Sequence, residues 1–246
     1  MWWDSASFSL LAEIPLPYDS DNIRYETATG RVWIGAGSGR DGALIALGPD
    51  RNEVLQRIGL RGHPESFQLE QFGARIFVNV PTARAVQVVD RSMGKVVADW
   101  SIPARANFPM ALDEADHRLF VGTRLPARLP VYDTQNGRST ATLHTVGDAD
   151  DIFYDAGARR VYVSGGEGFV YVYRQYSADC YALMQKIAAR AQRCSSRSGA
   201  CCSWPFRASV RTQPRCGCSR LPRPVHPTEL RKASDATGPP GLAGHP

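Results

Sequence analysis

One pattern recurs four times along this 246-residue chain at a spacing of about 43 residues, and it constrains the fold more than any other feature. Each copy contains a six-residue segment and then an apolar run that an arginine opens. These arginines lie 44, 43 and 42 residues apart, at Arg31, Arg75, Arg118 and Arg160. A repeat of this period is typical of folds that stack one supersecondary unit on the next.

Each copy holds four short apolar runs, which in the third copy occupy 108–113, 118–122, 129–133 and 139–143. The runs are rich in β-branched and aromatic residues and are separated by Gly, Asp, Asn and Pro, which indicates strands joined by turns. No amphipathic helical pattern accompanies them, which argues against a helical solenoid. We expect the aromatic residue of each second run to be core: Trp33, Phe77, Phe120 and Tyr162.

Four strands per repeat of this length is the pattern of a propeller blade. The sequence therefore predicts an all-β fold, a β-propeller of four-stranded blades that is incomplete, with about four full blades plus a half blade. The predicted half blade is 1–14, and the blades are about 15–58, 59–102, 103–145 and 146–190. The remaining 191–246 are rich in Pro, Gly and Arg without apolar periodicity, so we expect a disordered tail.

The strands Arg160-Val-Tyr-Val-Ser, Arg75-Ile-Phe-Val-Asn and Arg118-Leu-Phe-Val-Gly resemble the YVTN-type propeller repeat. From about residue 2 to 190 the chain resembles the YncE-like proteins, which belong with the quinoprotein amine dehydrogenase β-propellers. The resemblance implies seven blades in a closed ring, on proteins that are often periplasmic or secreted. This chain begins without a basic and apolar leader, so as given we expect it to be cytoplasmic.

Both ends depart from the repeat. Met1 falls inside a blade, so we expect upstream blades to be missing. The tail contains Cys, Trp and Phe, whose codons all begin with T. When the reading frame is shifted by two bases, that T becomes the middle base of a new codon, and a codon with a middle T always encodes an apolar residue. A frameshift near residue 190 is our interpretation, and a genuine Cys-rich tail is the alternative. The tail cysteines and His226 lack the usual spacing of zinc ligands.

The net charge of +5 does not indicate a nucleic-acid partner. The basic excess lies in the tail, whereas the first 190 residues hold more acidic than basic side chains. No run of 18 apolar residues occurs, so we expect no membrane span.

Polar segments lead into the first strand of each predicted blade. Because the first strands line the central channel, these segments are expected to meet at one opening, here called the channel mouth. Side chains of mixed charge around an opening are typical of a ligand-binding site. The candidate ligand-binding residues are Asp21, Arg24, His63, Glu65, Asn107, Asp148, Asp150 and Asp151.

No catalytic constellation accompanies the repeats. An acid–base pair of His63 with Glu65, and calcium at Asp148, Asp150 and Asp151, are the alternatives considered, but neither has the spacing of a known motif. We therefore expect no catalytic residue and no metal. We also expect no cofactor, since no Cys-x-x-Cys-His haem attachment motif is present.

The function that the sequence favours is a non-enzymatic scaffold that binds an unknown protein or small-molecule ligand at the channel mouth. One alternative is a propeller subunit of a quinoprotein or redox enzyme, which rests on fold analogy. Another is a non-functional gene fragment, because missing blades leave open edges that promote self-association.

Overall fold

The computed structural model describes residues 1–16, 19–48 and 53–189, and strands account for most of them. The strands, in chain order, are β1 (Trp2–Trp3), β2 (Leu10–Ala12), β3 (Asp19–Glu26), β4 (Arg31–Ser38), β5 (Asp41–Leu47), β6 (Val54–Leu60), β7 (Phe67–Leu69), β8 (Arg75–Val80), β9 (Ala85–Asp90), β10 (Lys95–Ser101), β11 (Arg105–Asp113), β12 (Arg118–Leu125), β13 (Ala127–Asp133), β14 (Ser139–His144), β15 (Ala149–Asp155), β16 (Arg160–Gly165), β17 (Phe169–Ser177) and β18 (Cys180–Ala188). A single 3-10 turn, Pro81–Ala83, is the helical element of these residues, and none of their helices is long and apolar enough to cross a membrane.

These strands form four antiparallel sheets of four strands and one two-stranded hairpin. The sheets are β3–β6, β7–β10, β11–β14 and β15–β18, each in simple sequential order, and the hairpin joins β1 to β2. The repeat arginine opens the second strand in every sheet. In the second and third sheets it pairs with the aspartate that ends the third strand, Arg75 with Asp90 and Arg118 with Asp133.

Successive sheets meet along their first strands. Strand β3 contacts β7, β7 contacts β11, and β11 contacts β15, so these four strands form the inner row of the assembly. Each sheet extends outward from that row with its faces against its neighbours. The arrangement is a β-propeller, and the predicted all-β fold of four-stranded blades is confirmed. The tail, with its predicted disorder and frameshift, lies outside the described residues.

Three apolar clusters fill the spaces between the sheets. Because side chains alternate along a strand, one strand supplies two different clusters. In β8, Ile76 and Val78 pack against the first sheet, whereas Phe77 packs against the third. A further cluster joins the third sheet to the fourth around Phe120 and Tyr173. Most of the core is therefore divided among the sheet interfaces, and a fourth cluster covers the other face of the first sheet against Ile14 and Leu16.

Three of the four aromatic residues expected in the core are completely buried: Trp33, Phe77 and Phe120. Tyr162 is only half-buried, contrary to expectation. It lies on the face of the fourth sheet that points away from the third, and no further sheet covers that face among the described residues. The position in the repeat is the same for all four residues, so it did not distinguish a face packed against another sheet from an uncovered one.

An acidic residue at the far end of each of the first three inner strands connects its sheet to the next. Glu26, which ends β3, pairs with Arg91 of the second sheet at 3.2 Å between Oε1 and Nε. Both side chains are about nine-tenths buried. Arg91 also donates to the Glu70 carbonyl at 2.7 Å. This buried ion pair therefore links the inner strand of one sheet to the third strand of the next.

The equivalent acids of the next two sheets make related connections. Glu70 binds the Arg75 guanidinium, which in turn donates to the backbone carbonyl of Thr134 in the third sheet. Asp113 accepts a hydrogen bond of 2.9 Å from Gln175 of the fourth sheet. A buried acid without such a donor would destabilise the fold, so these ion pairs and hydrogen bonds stabilise the interfaces between the sheets.

Burial of the Glu26 carboxyl group by itself raises its pKa. Hydrogen bonds from Trp33 and Thr29, with the charges of Arg91 and Arg31, outweigh burial and hold the pKa below its ordinary value of 4.5. A carboxyl group with a lowered pKa in the folded state stabilises the protein above its ordinary pKa. That stabilisation is lost as the pH falls through the lowered value.

We predict that Glu26→Gln destabilises the protein by about 1–3 kcal/mol at neutral pH, because Arg91 keeps its carbonyl acceptors but loses its charged partner. The difference from the unsubstituted protein should shrink as the pH falls below 4.5. Urea unfolding at several pH values measures both effects. Asp155→Asn is the matched control, since Asp155 is the equivalent residue of the fourth sheet but is exposed. Equal losses of unfolding free energy in the two variants would contradict a stabilising role for the Glu26–Arg91 pair.

Candidate functional site

The segments that lead into the inner strands lie at one end of the sheets, because all four inner strands run in the same sense. Two contacts show this convergence directly. Asp21 in β3 reaches His63, which lies in the segment between β6 and β7. Arg124 at the end of β12 reaches Asp148 and Asp150 at the start of β15. This end corresponds to the channel mouth that the sequence predicts.

Asp21, His63 and Glu65 form the first cluster at the mouth. Nε2 of His63 lies 2.6 Å from Oδ2 of Asp21. One ligand atom from each of the three side chains lies within 4.8 Å of the other two. His63 and Glu65 flank Pro64 in an extended segment, where alternate side chains point the same way. Asn22 holds this segment against β3 by donating to the Glu65 carbonyl.

Burial and contacts within the cluster shift the pKa values of His63 and Glu65. Burial lowers the pKa of His63, but the hydrogen bond to Asp21, the Gly37 backbone and the charges of Asp21 and Glu65 together raise it above its ordinary value. Burial raises the pKa of Glu65, as does Asp21, against the charges of His63 and Arg124. Nδ1 of His63 is buried, and the Gly37 carbonyl does not meet it in standard hydrogen-bond geometry.

Gly37 and Gly42 bring the segment around His63 unusually close to the first sheet, and Gly62 brings it close to Thr82 of the second. A Cβ atom on Gly37 would lie 2.9 Å from Cα of His63. A Cβ atom on Gly42 would overlap the Gly62 carbonyl oxygen, and one on Gly62 would overlap the Thr82 hydroxyl. Only residues without a side chain permit this approach. The position of His63 is therefore set by backbone packing and does not depend on its bond to Asp21.

Arg124 organises the second cluster. Its Nη1 lies 2.9 Å from Oδ1 of Asp148 and its Nη2 lies 3.0 Å from Oδ1 of Asp150. Its Nε donates to the Ala149 carbonyl at 3.1 Å, and its guanidinium carbon lies 4.5 Å from the centroid of the Phe108 ring. The arginine thus joins the third sheet to the fourth, while both aspartates stay more than half exposed.

Arg24 and Asp151 bring the first and fourth sheets into electrostatic contact. Burial lowers the pKa of Arg24, and the Asp151 charge opposes that shift. Arg24 donates to the Ile23 carbonyl at 2.8 Å and lies 5.6 Å from the centroid of the Phe67 ring. The Asp151 carboxylate accepts the backbone N–H of Ile152 and is exposed.

Asn107 has a different environment from the other candidates. It is completely buried, and its amide donates to Oδ1 of Asn79 at 3.1 Å and to the Ala85 carbonyl at 3.3 Å. Its own Oδ1 has no partner among the described residues. The structure therefore places Asn107 in the packing between the second and third sheets, without an exposed side chain.

Arg124 is absent from the residues that the sequence suggested. A signal for it exists in the repeat, because it lies six residues after the repeat arginine Arg118. The equivalent positions in the other three copies hold Gly37, Pro81 and Gly166. A long charged residue at a position that otherwise holds a turn former marks a side chain with a separate role.

No protein-family model and no curated protein matches this sequence. Among solved structures, 856 chains match the fold. One is U3-55K, a WD40 β-propeller protein, with a TM-score of 0.58 and 10% sequence identity over 71% of this chain. The chain spans 59% of the U3-55K chain. At this identity the likeness establishes the propeller fold alone.

We predict that Gly42→Ala destabilises the protein by about 1–3 kcal/mol, because the added methyl group must displace the Gly62 backbone. It should also weaken the Asp21–His63 bond, which the NMR shifts of the His63 ring report. Gly59→Ala is the matched control, since Gly59 lies in the adjacent strand and a Cβ there meets nothing within 4 Å. If both alanine variants unfold at the same urea concentration, the close approach has no structural role.

Proposed function

We propose that this protein is a non-enzymatic propeller scaffold that binds a protein segment or a small ligand at the channel mouth. The observation that carries the proposal is the convergence of charged side chains from all four sheets on one end of the inner strands. Rigid sheets with exposed polar groups at one end are a common basis for recognition. We further propose that the blades are of the YVTN type, which the arginine-led second strands support.

The charge of the mouth favours a cationic ligand. Of the candidate residues together with Arg124, five are carboxylates and two are arginines: Asp21, Glu65, Asp148, Asp150 and Asp151 against Arg24 and Arg124. Arg105, exposed at the start of β11, adds a third arginine at this end, so the carboxylates still outnumber the arginines. Asp148 and Asp150 share one arginine and stay mostly exposed. Each therefore retains acceptor capacity for a lysine or arginine side chain of a partner. A basic protein segment is the ligand class that we propose.

Fluorescence anisotropy with a labelled octalysine peptide tests this proposal. We expect saturable binding to the unsubstituted protein that weakens roughly 2- to 30-fold in the double variant Asp148→Asn/Asp150→Asn, since each exposed charge pair contributes about 0.2–1 kcal/mol. Added salt should weaken binding further.

The matched control for that experiment is Glu53→Gln/Asp155→Asn. It removes the same charge from exposed positions at the opposite end of the sheets, in the turn before β6 and at the end of β15. An equal loss of affinity in both double variants would show that octalysine responds to net charge and not to the mouth. Absence of saturable binding to the unsubstituted protein would refute the proposal of a basic ligand.

A further inference from the structure

The cluster of Asp21, His63 and Glu65 has the chemistry of a divalent metal site. It combines one imidazole with two carboxylates, which are ligands that zinc accepts. The three ligand atoms lie within 4.8 Å of one another, although Asp21 comes from the first sheet and the others from the next segment. We propose that this cluster binds one zinc-type transition metal ion. The site is distinct in chemistry from the basic-ligand function proposed above and does not depend on it.

The distances need only small changes to hold such an ion. Ligand atoms about 2.1 Å from a shared zinc ion lie about 3–3.5 Å apart. Nε2 of His63 and Oδ2 of Asp21 are 2.6 Å apart, so the exposed Asp21 side chain moves outward when the ion enters. Glu65 moves inward. The ion replaces the proton between His63 and Asp21, and that proton leaves to solvent.

The Glu65 carboxylate supplies a second, independent reason to expect a cation. No donor from the described residues makes a hydrogen bond to it, and it lies half-buried beside the Asp21 carboxylate. A partly buried carboxylate next to a second carboxylate is unfavourable without a counter-charge. The charges of His63 and Arg124 also act on Glu65, but His63 is already bonded to Asp21, and Arg124 to Asp148 and Asp150. A divalent ion neutralises both carboxylates at once.

Backbone packing holds the ligands in place before the ion arrives. The His63 backbone lies against Gly37, and the Glu65 carbonyl accepts a hydrogen bond from Asn22, the neighbour of Asp21. This link holds the two carboxylate-bearing segments together. The mouth is open to solvent on the Asp21 side, so water completes the coordination. The imidazole ligand and the small number of carboxylates favour zinc over calcium, which takes six to eight oxygens.

Isothermal titration with Zn²⁺ alone tests the site, on the full chain. The tail cysteines would also bind zinc, so they are replaced by serine in every sample: Cys194, Cys201, Cys202, Cys216 and Cys218. We expect one zinc ion per chain, with the affinity reduced at least about tenfold in each of Asp21→Asn, His63→Gln and Glu65→Gln. Asp155→Asn is the control, since Asp155 is an exposed carboxylate at the opposite end of the fourth sheet, and it should bind within about twofold of the parent.

A second measurement guards against variants that fail to fold. Circular dichroism without zinc checks the fold, and the melting temperature with and without zinc reports binding through its stabilisation of the folded state. Zinc should raise the melting temperature of the parent and of Asp155→Asn, and chelation should reverse the rise. The proposal is overturned if the parent binds no zinc saturably, or if the three ligand variants bind it as tightly as the parent.

Discussion

Burial of both faces of the middle sheets is the constraint on which the rest of this structure depends. The second and third sheets each pack one face against the preceding sheet and the other against the following one. A strand such as β8 must therefore be apolar on both faces, as Ile76, Phe77 and Val78 are. This leaves the strand ends as the places where the chain can display charge. The polar groups that could recognise a ligand are consequently gathered at the mouth by the way the sheets are stacked.

The sequence repeat was enough to predict the fold, because burial of the middle sheets on both faces requires the short apolar runs that the repeat shows. Short β-branched and aromatic runs that recur four times per period specify the strands, and the arginines mark each second strand. The site was less accessible to sequence reasoning. The leading segments identified Asp21, His63 and Glu65 but gave no distance between them. That distance depends on glycines such as Gly42 in a different part of the repeat.

Two residues show where the sequence pattern failed and why. Asn107 precedes an inner strand like the other polar candidates, yet it points into the packing against Asn79. Its position in the strand register decides this, and that position is not visible from polarity alone. Arg124 was missed because it lies at the end of a second strand, away from the leading segments. Its reach of several ångströms brings it to the mouth, as only a long side chain could.

Acidic residues at the two ends of the inner strands have opposite roles, and the difference follows from their donors. At the far end, Glu26 and Asp113 are buried. Glu26 pairs with Arg91 and Asp113 accepts a hydrogen bond from Gln175, in each case from the next sheet, so their charge is used for cohesion. At the mouth, the Asp21 carboxylate has one partner of this kind, His63, and the Glu65 carboxylate has none within the described part of the chain. A carboxylate whose acceptor capacity is not filled by the protein is the one available to a cation from solution. The inner strands therefore hold the sheets together at one end and leave negative charge for binding at the other.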